Sequence, residues 1–190
     1  MTYSATFDLR SAEDTHRLAL ALADQLQAGD LLVLTGQLGA GKTTLTQSLG
    51  QGLGVRPGII SPTFVLSRIH PNLAQGPRPA GPDLVHVDAY RLSSAQEIDD
   101  LDLEYTLERA VTVVEWGKGK VEHLTESRLE LELIRSQAGS HPAENQPESE
   151  PRQLHLYAYG PRWNAAAWQQ LLQQVSAALA QADPGQKPVD

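Results

Sequence analysis

The chain has 190 residues, 41% of them hydrophobic and 20% charged, which suits one domain with a sizeable core. A net charge of −8 argues against a protein that grips nucleic acid by bulk attraction, since a phosphate-tracking surface needs clustered Lys and Arg. Cysteine is absent, which excludes disulfides, thiolate metal sites and a Cys nucleophile, and no apolar run approaches the ~18 residues of a membrane span.

In chain order, Thr2–Leu9 alternates and predicts a short strand. Ser11 and Asp14 stand at capping-box spacing and open a helix whose apolar face is Leu18, Ala19, Leu22 and Leu26, with Gly29 expected to end it. Leu31–Thr35 is a continuous apolar run, the pattern of a strand buried on both faces of a parallel sheet. A glycine-rich turn follows, then a helix from Lys42 to Leu53 stopped by Gly54. Ile59–His70 reads as loop into strand, and Pro71–Pro82 as a surface loop. Leu84–Asp88 and Val111–Glu115 read as strands that each end in a carboxylate. Between them, Ser94 and Glu97 form a capping box for one short helix, and Leu103–Arg109 suggests another.

Arg128–Ile134 and Gln153–Tyr159 read as two strands of a hairpin. Its loop, residues 136–151, is expected to be flexible, carrying three prolines and the acids Glu144, Glu148 and Glu150. Asn164 can cap a last helix with Trp168, Leu171, Leu172, Val175 and Leu179 on one face, and Trp163 is read as packing with it. Residues 183–190 are expected to be a disordered tail, leaving one domain over residues 1–182. The alternation of strands and helices predicts an α/β, three-layer fold with a mostly parallel central sheet and an antiparallel flank. The opening residues MTYSATFDLR show no basic-then-apolar leader, so the expectation is a cytoplasmic protein without a membrane partner.

Gly36-Gln37-Leu38-Gly39-Ala40-Gly41-Lys42-Thr43 matches the phosphate-loop pattern G-x-x-x-x-G-K-S/T, between a strand and a helix. Glycines let successive backbone N–H groups turn toward phosphate, and the following helix aims its positive end at the same anion. Lys42 supplies a mobile cation for the β and γ phosphates, and the Thr43 hydroxyl is a hard oxygen ligand suited to Mg²⁺. A chance glycine-rich turn would not be expected to sit between those two elements.

Asp88 and Glu115 end neighbouring strands, and in open α/β sheets ligands bind beyond the carboxyl ends of parallel strands. One acid can support Mg²⁺ and the other can orient or deprotonate a water, although strand-end acids are often only solvated or capping. Thr63, in Ser61-Pro62-Thr63-Phe64, is either a switch residue sensing the γ-phosphate or part of a simple proline turn. His86 reads as a core histidine, and Trp116 as a lid or a packing residue.

Four segments in order, GQLGAGKTT (Gly36–Thr44), SPTF (Ser61–Phe64), HVDAYRL (His86–Leu92) and VEW (Val114–Trp116), resemble the TsaE (YjeE) family, small ATPases of bacterial tRNA threonylcarbamoyladenosine synthesis. The resemblance covers roughly residues 5–135 and implies a P-loop NTPase-like fold. It implies that Gly36, Gln37, Leu38, Gly39, Ala40, Gly41, Lys42, Thr43 and Thr44 hold ATP, with Thr43 on Mg²⁺. Thr63 falls in the switch-like segment, Asp88 in the Walker-B-like segment, and Glu115 on the family's essential acid near the metal, accompanied by Trp116. Ser11 and Thr15 match, more loosely, the first helix where it approaches the nucleotide base. Lys42, Glu115 and Asp88 are thereby the catalytic candidates, and Thr43, Glu115 and Asp88 the metal candidates. The implied partners are the TsaB and TsaD proteins, tRNA being reached only through that complex. Gln37 departs from the family, which usually shows an acid there.

Other readings are a P-loop small-molecule or nucleotide kinase, a GTP-driven switch and a nucleotide-binding scaffold without turnover. A kinase needs lid arginines, and the chain has only Arg128 and Arg135 between Glu115 and the acidic loop. A guanine-reading Asn-Lys-x-Asp motif is missing. Arg91 is the candidate for a positive charge in the site itself.

Overall fold

In a computed structural model, which describes residues 2–135 and 151–181, the apolar run becomes strand β2 (Leu31–Gly36) inside a seven-stranded sheet. Around it stand β1 (Thr2–Leu9), β3 (Ser67–His70), β4 (Asp83–Asp88), β5 (Ala110–Glu115), β6 (Arg128–Arg135) and β7 (Arg152–Tyr159). The spatial order is β1-β7-β6-β2-β5-β4-β3. The four inner strands β6, β2, β5 and β4 run parallel. β2 and β5 are apolar almost throughout, and β4 buries Leu84, Val85 and Val87, because both faces are covered.

The antiparallel part is larger than the sequence pattern suggests. β1, β7 and β6 form the expected antiparallel flank. At the opposite edge β3 also pairs antiparallel with β4. The Pro71–Pro82 loop returns the chain beside the strand it has just left, and such a direct reversal, with no crossover, gives antiparallel pairing.

Helices cover both faces. On one side α1 (Ala12–Gln25), α2 (Lys42–Leu53) and α5 (Ala165–Ala180) bury Leu18, Leu22, Leu45, Leu49, Leu171 and Val175 against Leu32, Leu34, Val113 and Leu131. On the other, the short α3 (Ala95–Asp99) and α4 (Glu104–Leu107) place Ile98 and Leu107 against Leu31, Val33, Val85, Val87 and Val114. Helix α2 begins and ends at the expected residues, with Gly54 in the left-handed conformation as its cap (φ 72°).

Three local expectations need correction. Helix α1 ends at Gln25, not near Gly29: Leu26 turns extended (ψ 144°) and buries its side chain completely, while Gly29 (φ 94°) makes the turn into β2. The box at its start is only half formed. Ser11 Oγ accepts from the Asp14 N–H, but Asp14 Oδ2 accepts from Arg10 N–H instead of that of Ser11. Trp163 packs, with 1% of its surface exposed, but from a 3-10 turn (Pro161–Trp163) ahead of α5 and not from the helix itself. The flexible loop expected at 136–151, apart from Pro151, and the tail expected at 183–190 lie outside the described residues. No described helix is long and apolar enough to cross a membrane.

Candidate functional site

The parallel register of β4 and β5 pairs Asp88 with Glu115, so the two acids leave the carboxyl edge of the sheet side by side. Side chains alternate along a strand, so His86 and Asp88 share a face, and Val113 and Glu115 share the corresponding face of β5. Val113 packs into the α1–α2 layer, which puts all of these groups on the side of α2. The β2–β5 register sets Leu34 opposite Glu115, and the chain then turns through Gly36 into the phosphate loop.

That turn depends on Gly36. Its φ is 140°, and a Cβ there would come within 2.4 Å of the Leu133 carbonyl oxygen on β6. Gly39 (φ 75°) and Gly41 (φ 103°) carry the loop to the first turn of α2, where Gly41 is the N-cap. The loop faces a cleft of about 500 Å³ lined by Leu38, Gly39, Gly41, Lys42, Thr43, Thr44, Ser61, Thr63, Asp88, Tyr90, Glu115 and Trp116.

Lys42 reaches back along the loop, its Nζ donating to the carbonyl oxygens of Gly36 (2.8 Å) and Gln37 (3.0 Å) and lying 3.8 Å from the centre of the Trp116 ring. Burial pulls its pKa below the usual 10.5, with the Glu115 and Asp88 carboxylates acting in the other direction. The Thr43 hydroxyl donates to Glu115 Oε1 at 2.9 Å. Asp88 is engaged differently. Its Oδ2 accepts from Ser61 Oγ (2.8 Å) and Thr63 Oγ1 (2.5 Å), and its Oδ1 from the Tyr90 N–H (3.0 Å). Burial works to raise the Asp88 pKa, but the bonds from Thr63, Ser61 and Tyr90 outweigh it and hold the carboxyl below 3.8.

Trp116 sits at φ 61°, a left-handed conformation that is strained for a bulky residue, with its N–H bonded to the Leu34 carbonyl (2.9 Å). Its ring meets Tyr90 edge-on, the centroids 5.2 Å apart. Arg91 lies outside the lining set, stacked on Phe64 at 4.8 Å.

The cleft therefore gathers most residues singled out from sequence. Thr63 is tied to Asp88, which a bare proline turn would not require. Gln37 and Gly36 lie on the adjoining groove by β6, and Ala40 is buried beneath the loop. Ser11 and Thr15 stand apart from the cleft lining: Ser11 caps α1, and the Thr15 hydroxyl bonds the Ser11 carbonyl at 3.4 Å. Sequence reasoning missed Ser61 and Tyr90, each two residues from a recognised group. The reading of His86 as a core histidine holds, since it is fully buried, and its Nε2 also lies 2.9 Å from Glu115 Oε1.

The donor set can be tested against Mg²⁺. Thr43, Glu115 and Asp88 offer only oxygen, the preference of a hard cation. Among the described residues no three His, Asp or Glu side chains gather tightly enough to hold a metal alone. Mg²⁺ commonly takes one or two carboxylates and completes its shell with water and substrate phosphates, so this sparse set beside a phosphate loop fits it.

Comparison with known proteins agrees with the geometry. A family model described as "Threonylcarbamoyl adenosine biosynthesis protein TsaE" matches residues 9–143. A Streptomyces coelicolor protein named tRNA threonylcarbamoyladenosine biosynthesis protein TsaE is 51% identical over 150 residues, covering 78% of this chain and 93% of its own length. A Mycobacterium tuberculosis protein of the same name is 46% identical over 141 residues, 71% of this chain and 82% of its own. The crystal structure of Bacillus subtilis YdiB superposes with a TM-score of 0.65 at 25% identity, covering 93% of this chain and 97% of that one. The chain belongs to the TsaE family.

Proposed function

We propose that this member of the TsaE family is an ATP hydrolase that supports threonylcarbamoyl modification of the tRNA adenosine next to the anticodon, acting with the TsaB and TsaD proteins. The observation that carries the ATPase reading is the Thr43–Glu115 hydrogen bond across the floor of the phosphate-loop cleft. It joins a hydroxyl in the first turn of α2 to a strand-end acid, the pairing a phosphate-bound cation requires.

In this reading the backbone of residues 36–43 cradles the β and γ phosphates, and Lys42 exchanges its two carbonyl partners for phosphate oxygens. Thr43 and Glu115 hold Mg²⁺, which when bound neutralises charge developing on the phosphates. Asp88 supports the metal side and keeps Ser61 and Thr63 at the cleft, so that the Thr63 hydroxyl senses the γ-phosphate and a water is oriented there. Ser11 and Thr15 remain candidates for the base side. Because catalysis here is positioning and charge neutralisation, a missing cation in the site slows it. Arg91 is held on Phe64, so the chain alone should be a slow ATPase.

The surround of the cleft favours a protein partner. Leu38 (84% exposed) and Tyr90 (62%) line it, and the exposed Phe64 (86%) and Val65 (55%) directly follow its Thr63. Apolar surface grouped at a functional cleft marks an interaction site more often than a solvated surface. The acidic balance of the chain further suits contact with tRNA through proteins and not directly.

The test is ATP turnover by the chain alone and with TsaB and TsaD together. Turnover should be low alone and rise in the complex, and Lys42→Ala should remove it in both. High activity alone would refute completion by partners, and undiminished turnover in the variant would refute the site.

A further inference from the structure

One polar side chain at the cleft has no part in the scheme above. His86 is fully buried on β4, and its Nε2 lies 2.9 Å from Glu115 Oε1, the same oxygen that accepts the Thr43 hydroxyl at 2.9 Å. An ionised carboxylate only accepts, so the ring hydrogen sits on Nε2 and donates. Nδ1 has no partner among the described residues, which suits a bare ring nitrogen, whereas an N–H there would be a buried unsatisfied donor. Two donors fill the lone-pair positions of Oε1, and among the described residues none bonds Oε2.

We infer that His86 is a positioning residue for the cation: by pinning Glu115 Oε1 from the adjoining strand β4, it reserves Oε2 as the oxygen for Mg²⁺. The inference rests on the nucleotide and cation reading given above. A carboxylate on a free side chain samples several rotamers, and only some present an oxygen to the cleft. Tethering Oε1 at two points removes that freedom before any ligand arrives. Hydrogen bonds from behind a ligating carboxylate commonly change metal affinity by about 10- to 100-fold. A buried ring N–H needs an acceptor in any case; what ties this one to the cation is that its acceptor is the oxygen already shared with Thr43.

The experiment compares wild type, His86→Gln and His86→Met by titrating a fluorescent ADP analogue with and without Mg²⁺. Gln can place an amide N–H near the position of Nε2, whereas Met fills similar volume without a donor. His86→Met should lose about tenfold or more of the Mg²⁺-dependent gain in affinity while binding the metal-free nucleotide as wild type does, and His86→Gln should retain most of the gain. Equal gains in all three proteins would overturn the inference, as would loss of metal-free binding in both variants. No Mg²⁺ effect in the wild type would instead strike the cation reading itself. Should the variants not fold, ¹⁵N NMR of the wild-type ring decides: a hydrogen on Nε2 with Nδ1 bare supports the role, and the opposite tautomer overturns it.

Discussion

At Gly36 a single missing carbon decides whether the phosphate loop can form. An added Cβ would meet the Leu133 carbonyl at 2.4 Å, and that oxygen belongs to the β2–β6 pairing and cannot swing aside. Gly36→Ala is expected to lower the melting temperature and weaken nucleotide binding together, since the same strain opens the loop and disturbs the strand. Unchanged values for both would mean the loop tolerates the carbon. Asp88 offers a pH test. Its folded-state pKa lies below 3.8, so the stabilisation it provides is complete above that value and disappears as pH falls through the lowered one. In urea unfolding the advantage of wild type over Asp88→Asn should hold from about pH 7 to about pH 5 and shrink below about pH 4. An advantage that widens in acid would contradict the bonding described for Ser61 and Thr63.

Among the elements, α5 shows how an amphipathic stripe and a cap give a helix its place. Asn164 Oδ1 accepts from the N–H groups of Ala166 (3.1 Å) and Ala167 (3.2 Å), satisfying two amides that the helix leaves unpaired. Asn164→Ala should therefore cost about 1 kcal/mol in chemical denaturation. The Trp163 ring just before it is buried in the α1–α2–α5 layer, and Trp163→Ala should cost about 3–5 kcal/mol because the cavity cannot fully close. A loss well under that range would show that the segment repacks. On the other face of the sheet, α3 carries the expected capping box, Ser94 and Glu97 bonding each other's backbone N–H. The hydrophobic period and cap residues made these helices legible, because both signals act within one or two turns of chain. The end of α1 was not legible. Gly29 looked like the stop, but burial of Leu26 against the core turned the chain three residues earlier.

Across the whole molecule, the carboxyl edge of the four parallel strands gathers the chemistry, and exposed apolar side chains surround it. If Phe64 and Val65 form part of a partner surface, replacing both with Ser should preserve nucleotide binding by the isolated chain, whose own turnover serves as the reference because Arg91 loses the Phe64 ring. It should also reduce the increase that TsaB and TsaD produce. Full stimulation of the double variant would place the partner elsewhere. Among the described residues the edge strand β3 pairs with β4 alone, and its Ile69 remains 47% exposed.

By itself the sequence determined the phosphate loop, the strand–turn–helix unit holding it and the two strand-end acids. It also carried enough ordered motifs to indicate the family. Those features rest on local geometry: a glycine turn, a buried apolar run and a cap are each defined by neighbours in the chain. Tertiary structure alone decided how the acids divide their partners, Glu115 to Thr43 and Asp88 to Ser61 and Thr63. It also decided that His86 meets Glu115, 29 residues away in sequence. These pairings follow from strand order and register, which set β5 between β2 and β4, and no local pattern encodes which strands become neighbours.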